Sequence, residues 1–527
     1  MSEGKIIARA ALVIVIMTVF SRVSGFLREV AIAHQFGATA ATDAYVLAYT
    51  LPFLAMMAVG GAITATVVPL FTEYAARRQV DEAWRLFSRV LNGLILVLAA
   101  AVCAGVLLAP QLVAVMAPGF AGETADLAAK LVKIMLPSLI FMVLGNLFMG
   151  LLNANNIFGP SAAGPAVMNT IIIAAALTVG GVFGISGLAA GTVTGAVLAA
   201  LVQVPFLLRA GFRWHPVVSP ADPGVHKLLT LMLPVLATSG ISQGYFLVER
   251  MLASGLDEGS IAALNYANKL VLLPQGLFVF AVSTAIFPTL SRLVSEHRRE
   301  DMARILSRGV KLVFMIAVPA GVGLMVLREP VISLLFERGA FDQRAVDMTA
   351  SALLYYSIGL AGLSVNPLLV RGLFALQDMW APLKSTAVMV AANIALALLL
   401  VDRLQHGGLA LAYSLAVTLN MLILAWLLRR KVPGFINRQL VRFLACVLLA
   451  GVPMALLLQF VDPLVASRLG EGGAATLARL LVDAVLGMAA YLLAACLLKL
   501  DELQYIAEVV KKRLCREKLP QRQKEKI

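Results

Sequence analysis

Ser21-Arg22-Val23-Ser24-Gly25-Phe26-Leu27-Arg28-Glu29 interrupts an apolar run that begins near Ile6 and continues to about Phe36. At the centre of a bilayer an arginine costs roughly 2.5–3.5 kcal/mol on insertion scales, so Arg22 and Arg28 imply a polar or watery interior. Six helical residues give about 9 Å of rise and roughly 120° of rotation, which leaves both guanidinium groups able to reach one broad cavity. Ser21, Ser24 and Gly25 keep the same segment slim. The alternative is that one arginine snorkels to an interface or pairs with Glu29.

Working outward, hydrophobic residues make up 60% of the 527 and charged residues 14%, the balance of a polytopic all-α membrane protein. The net charge of +14 is spread over short connections between apolar spans, which argues for membrane orientation and against nucleic acid. No small-residue cleavage site follows Met1-Ser2-Glu3-Gly4-Lys5, so no removable signal is expected. Runs of about 20 apolar residues give fourteen expected helices: 6–34, 42–73, 84–109, 125–153, 160–181, 186–209, 226–254, 259–292, 304–327, 345–376, 382–402, 408–429, 440–460 and 475–499. Pro52, Pro69, Pro234, Pro274 and Pro288 predict kinked or broken spans.

Alternate connections differ in charge. One set carries Arg77, Arg78, Arg85 and Arg89, then Arg209, Arg213 and Lys227, then the arginines from 292 to 308, then those from 429 to 442. The other set is poor in Lys and Arg, with Arg328, Arg338, Arg344, Arg403 and Arg468 as exceptions. The positive-inside rule therefore predicts that both termini are cytoplasmic. The basic tail from Lys511 onward fits that side, either touching anionic lipid or simply solvated.

The chain also repeats itself. Val68-Pro69-Leu70 followed by Arg85-Leu86-Phe87-Ser88-Arg89 recurs as Phe287-Pro288-Thr289 followed by Arg304-Ile305-Leu306-Ser307-Arg308, an offset of 219. Asn155-Asn156 before Pro160 answers Gln377-Asp378 before Pro382, and Gly187-Leu188-Ala189 answers Gly408-Leu409-Ala410. The expected organisation is a six-helix bundle over 1–213, a parallel copy over 214–431, two extra helices over 432–500 and a basic tail over 501–527. Such an architecture binds its substrate between the halves and rocks one against the other.

The second half supplies further charges: Glu249-Arg250 in span 7 and Lys269 in span 8. Arg22, Arg28 and Ser21 from one half, with Lys269 and Arg250 from the other, are expected to form a cationic substrate site. Asp43 is either a partner or gate for Arg28 or a helix first-turn carboxylate. Glu249 either neutralises Arg250 or binds a coupling cation. His34, His215, His226, His297 and His406 have no metal-ligand spacing, and the four cysteines form no disulfide framework. With no Walker A sequence, no nucleotide fingerprint and no paired carboxylates at a membrane edge, a transporter is expected and not an enzyme.

The stretch Phe20 to Glu29, with Gln35-Phe36-Gly37 and Ala41-Thr42-Asp43-Ala44, resembles the opening of the MurJ (MviN) family of lipid II flippases, within the multidrug/oligosaccharidyl-lipid/polysaccharide exporter superfamily. The likeness continues through Leu51-Pro52, Val68-Pro69, Ala117-Pro118-Gly119-Phe120, Leu264-Asn265-Tyr266-Ala267-Asn268-Lys269 and Gln377-Asp378. The resemblance implies transport of undecaprenyl-pyrophosphate bearing a disaccharide-pentapeptide to the outer leaflet, for peptidoglycan synthesis in the bacterial cytoplasmic membrane. It further implies that Arg22, Arg28 and Lys269 are cavity cations, that Asp43 is a periplasmic-side aspartate, and that spans 13 and 14 groove the lipid tail. Membrane lipids and cell-wall synthesis proteins are the implied partners, and the implied driver is the membrane potential or a cation gradient, Na+ or H+. Met56-Met57 and Gly61 replace charged residues of many relatives, which leaves a flippase for another polyprenyl-linked glycan as the competing reading. A membrane-embedded glycosyl- or acyltransferase is the competing class.

Overall fold

The computed structural model describes residues 3–77, 79–217, 222–276, 280–470 and 472–500; the basic tail over 501–527 lies outside the described residues. Among the described residues every regular element is helical: α1 (Glu3–Phe36), α2 (Ala40–Ala76), α3 (Val80–Leu107), α4 (Ala109–Met116), α5 (Gly122–Met135), α6 (Ser138–Ala154), α7 (Phe158–Leu177), α8 (Val179–Phe183), α9 (Ile185–Leu201) and α10 (Val204–Arg209). Then follow α11 (Pro223–Ala253), α12 (Ser260–Pro274), α13 (Phe280–Ser295), α14 (Arg299–Val326), α15 (Arg328–Phe336), α16 (Gln343–Ile358), α17 (Leu360–Ala375), α18 (Trp380–Lys431), α19 (Arg438–Leu469) and α20 (Gly473–Leu497). Eight helices among the described residues are long and apolar enough to cross a membrane, and ten if the bent pairs α5–α6 and α16–α17 each count as one span. α18 is counted once there although Gln405 breaks it in two.

The starts and breaks have local causes. Asp222 caps α11 by accepting from the amides of Gly224 (2.8 Å) and Val225 (3.2 Å), with Pro223 supplying the fixed φ of a first turn. Asn437 caps α19 through the amide of Leu440 (2.8 Å), and Asp378 caps α18 through those of Trp380 (3.2 Å) and Ala381 (3.0 Å). The sequence repeat is also a backbone repeat. Asn156 and Gln377 are both left-handed (φ 60° and 59°), as are Gly184 and Gln405 (φ 61° and 52°), each pair at an offset of 221. At the same offset, a Cβ on Gly187 would meet the carbonyl of Val179 at 2.6 Å, and one on Gly408 that of Leu400 at 2.4 Å.

Packing divides the chain into two compact units: residues 1–269, 335–349 and 393–409 in one, and residues 270–334, 350–392 and 410–527 in the other. The first unit thus gathers α11 and α12 around the opening helices, so packing and sequence repeat draw different lines through the chain. Within it α1 packs on α7, α2 on α6 and α11, and α7 on α9. In the second unit α14 packs on α17 and α19, and α19 on α20, around a core that includes Leu306, Leu368, Leu428, Val447 and Leu458. Tyr491 closes that core by donating to the carbonyl of Met315 (3.2 Å).

Candidate functional site

The first unit holds a polar cluster inside apolar helices. Arg28 of α1 donates through Nη2 to Glu29 Oε1 (2.5 Å) and through Nη1 to Asn169 Oδ1 of α7 (3.1 Å). Glu29 accepts on its other oxygen from Asn265 Nδ2 of α12 (3.1 Å). Asn169 in turn donates to the carbonyl of Ser21 (3.2 Å) and to Ser24 Oγ (3.2 Å), so one amide side chain ties both ends of the opening motif to α7. The Arg28 guanidinium also sits 5.7 Å from the centroid of the Tyr49 ring, within cation–π range. Neighbouring residues on a helix do not face one another, but the long side chains of Arg28 and Glu29 close the gap.

Arg28, Glu29, Tyr49 and Asn265 line a cavity of about 30 Å³ together with Tyr45, Tyr266 and Lys269. That is room for roughly two water molecules, far below the volume of a glycan head group. The cavity carries two cations and one carboxylate: Glu29 reduces the expected cationic character, and Arg28 is already engaged on both Nη atoms while its buried Nε has no partner. Of the sequence-predicted residues, Arg28 and Lys269 line it. Ser21 lies outside the lining, and its backbone carbonyl accepts from Asn169. Arg22 lies exposed on α1, outside this lining.

Asp43 and Arg250 belong to a different place, the N-terminus of α12. Asp43 is buried, and its carboxylate accepts from the amides of Gly259 and Ala262, each at 2.7 Å. It caps not its own helix but α12, whose first-turn amides have no intrahelical partner. Arg250 is also buried, donates to the carbonyl of Ile261 (3.3 Å) and stands 3.6 Å from Glu249. Around this turn the loops are tied together by backbone and side-chain donors alike. Ala340 donates to the carbonyl of His34 (2.8 Å), Tyr266 to that of Gly37 (3.1 Å), and Arg344 to that of Glu258 (3.1 Å). A Cβ on Gly259 (φ +90°) would lie 2.2 Å from the Ala38 carbonyl, and one on Gly37 (φ +63°) 2.3 Å from that of Ala340. Only glycine satisfies both the left-handed turn and this approach. Phe336, Phe341 and Tyr266 form an aromatic cluster beneath, with ring centroids 5.3–5.7 Å apart.

Reading charges alone leaves out Asn169, Asn265 and the tyrosines. Asn169 is detectable as a buried amide in the otherwise apolar α7, but nothing in the sequence says that it faces Arg28. Met56 is half-buried and Met57 exposed. Among the described residues no group of three His, Cys, Asp or Glu is placed to hold a metal, and Cys103, Cys446 and Cys496 are free.

Residues 32–478 match the family model described as Lipid II flippase MurJ. A Vibrio cholerae protein named probable lipid II flippase MurJ is 32% identical, with 86% of this chain and 88% of that protein covered. The lipid II flippase MurJ of Burkholderia cenocepacia is 30% identical over 80% of this chain and 84% of that one. Among solved structures, an inward closed conformation of lipid II flippase MurJ superposes with a TM-score of 0.80 at 26% identity, covering 93% of this chain and all of that one. An inward-facing MATE transporter of the MOP superfamily superposes with a TM-score of 0.68 at 16% identity, over 81% of this chain and 98% of that one, a likeness of fold alone.

Proposed function

The chain belongs to the lipid II flippase MurJ family, and from that premise we propose how its residues carry lipid II across the membrane. It is a polytopic membrane transporter, not an enzyme, and works by alternating access. The observation that carries the assignment of roles is the Arg28–Glu29–Lys269 cluster inside apolar helices, with one buried guanidinium nitrogen unpartnered.

The pyrophosphate is the part of lipid II that most resists crossing hydrocarbon, and an arginine fork suits it. In our reading it displaces Glu29 from Arg28 and takes Lys269 as a second, point-charge partner. The two waters' worth of room then belongs to a contracted state, with Glu29 as the internal counter-ion that offsets one of the two positive charges when the site is unloaded. Arg22, exposed on the same helix, meets the head group before Arg28 does. The positive-inside pattern puts both termini in the cytoplasm, so the Asp43–α12 junction is the outer gate, which Arg250 braces from α11. Helices α19 and α20 hold the polyprenyl tail, and a membrane potential or a Na+ or H+ gradient drives the cycle, with Glu249 as the candidate coupling carboxylate. Cell-wall synthesis proteins are the natural recipients of the product.

The test is lipid II translocation by full-length protein in proteoliposomes. Arg28→Ala is expected to abolish translocation, and Glu29→Gln to leave binding of the pyrophosphate intact while slowing release. Transport by Arg28→Ala at the unaltered rate overturns the assignment.

A further inference from the structure

Away from this site, the C-terminal helix pair contains a second polar group in an apolar setting. α19 and α20 run antiparallel, and a Cβ on Gly487 would meet the Leu458 side chain at 3.1 Å. One turn on from that contact, counting up α19 and down α20, the register sets Asp462 opposite Asp483. Arg479 forks Asp462, Nε to Oδ1 at 2.5 Å and Nη2 to Oδ2 at 2.6 Å. The Asp483 side chain is fully buried, its carboxyl faces that of Asp462 within hydrogen-bonding range, and neither of its oxygens receives a donor from the protein.

A sealed carboxylate without a donor is costly by several kcal/mol, and two carboxylates face to face cannot both ionise beside a single guanidinium without a large penalty. Arg479 balances one charge, that of Asp462, and is committed to it geometrically. The remaining groups near the pair are few: Glu329, at the start of α15, acts on Arg479 from a distance, and itself lies 3.3 Å from Arg328. Asp483 stands ten residues into α20, about 15 Å along its axis and so near mid-depth of a span.

We propose that Asp462 and Asp483 form a proton-binding site between α19 and α20, in which Asp483 holds the proton and donates it to Asp462. Release transfers that one proton to water and leaves two carboxylates facing each other across the helix pair, with one guanidinium, held by Asp462, to offset them. Pairing of α19 with α20 is thereby linked to proton occupancy. The site needs no assumption about which lipid is carried, so it stands or falls separately from the role given to Arg28.

The experiment is infrared spectroscopy of the full-length protein in lipid, with aspartate carboxyls labelled by ¹³C. At neutral pH the wild type is expected to show a protonated-carboxyl carbonyl band that shifts on labelling, disappears as pH rises, and is missing in Asp483→Asn. An Asn at 483 also keeps a donor facing Asp462, so thermal stability of that variant is expected not to fall with rising pH as the wild type's does. If that variant does not fold, Asp483→Glu serves instead, since it is expected to move the band out of the labelled aspartate set. Absence of any protonated-aspartate band at neutral pH, or persistence of the whole band in folded Asp483→Asn, overturns the proposal.

Discussion

Replacing Asp43 by Ala removes a carboxylate that accepts two amides at 2.7 Å, from Gly259 and Ala262, at the start of α12. Hydrogen bonds to a charged partner contribute about 1.5–3 kcal/mol each. Taking the low end for both gives about 3 kcal/mol, a factor of about 10² in the balance between joined and parted α2–α12 ends. The reporter is Ser260, which is fully buried at this turn and whose hydroxyl has no partner. In a chain whose native cysteines are Ser, Ser260→Cys should react slowly with a membrane-impermeant thiol reagent added outside. Adding Asp43→Ala should speed that labelling by roughly two orders of magnitude, and Asp43→Asn by less, since the amide oxygen still serves one N–H. Unchanged labelling of inserted, folded Asp43→Ala would refute the gate role and leave Asp43 as a helix cap only.

Arg22 and Arg28 should separate: Arg22→Ala is expected to stop translocation with the melting temperature unaltered, because Arg22 is exposed, whereas Arg28→Ala loses both. Equal melting losses in the two variants count against this division. Asn169→Ala frees Arg28 and unties the Ser21 carbonyl, a loss of about 1–3 kcal/mol in thermal or denaturant unfolding with transport reduced but present. Gly259→Ala should be more severe than ordinary surface changes, at about 1–3 kcal/mol or above, since both its φ and the Ala38 carbonyl oppose a side chain. Asp378 is held below the usual carboxylate range chiefly by its hydrogen bond from Lys431, 2.6 Å away. A depressed folded value stabilises above the unfolded pKa of about 3.9 and is lost as pH falls through the lower folded one. Asp378→Asn should therefore melt lower than wild type near neutrality and converge with it in acid.

The class of fold was legible because apolar runs bounded by charge have few other solutions, and the internal repeat because its backbone breaks recur at one offset. Asn156 and Gln377 carry the same left-handed backbone, although their neighbours differ. The pairing of Arg28 with Lys269 was legible from intramembrane charge and repeat position together. What stayed hidden depends on rotation about helix axes: Arg22 and Arg28 share α1 yet only one lines the cavity, and no periodicity distinguishes them. Asp43 shows a second limit. A carboxylate in a helix's first turn reads as that helix's own cap, while the amides it serves lie more than 200 residues downstream. Arg250 likewise reads as a cavity cation, but a backbone carbonyl of the same turn claims it.

The approach of Gly37 to Ala340, Gly119 to Gly255, Gly259 to Ala38 and Gly339 to His34 leaves no side-chain volume between the touching strands of backbone. Such a junction is expected to act as an electrical insulator. A carrier for a molecule as large as a glycolipid must form wide passages, and each wide passage threatens to short-circuit the ion gradients across the membrane. Backbone contacts this close leave no room for the water file that protons and small ions need. Adding bulk here should therefore show itself first as leak current in a planar bilayer, before any loss of lipid transport is measurable.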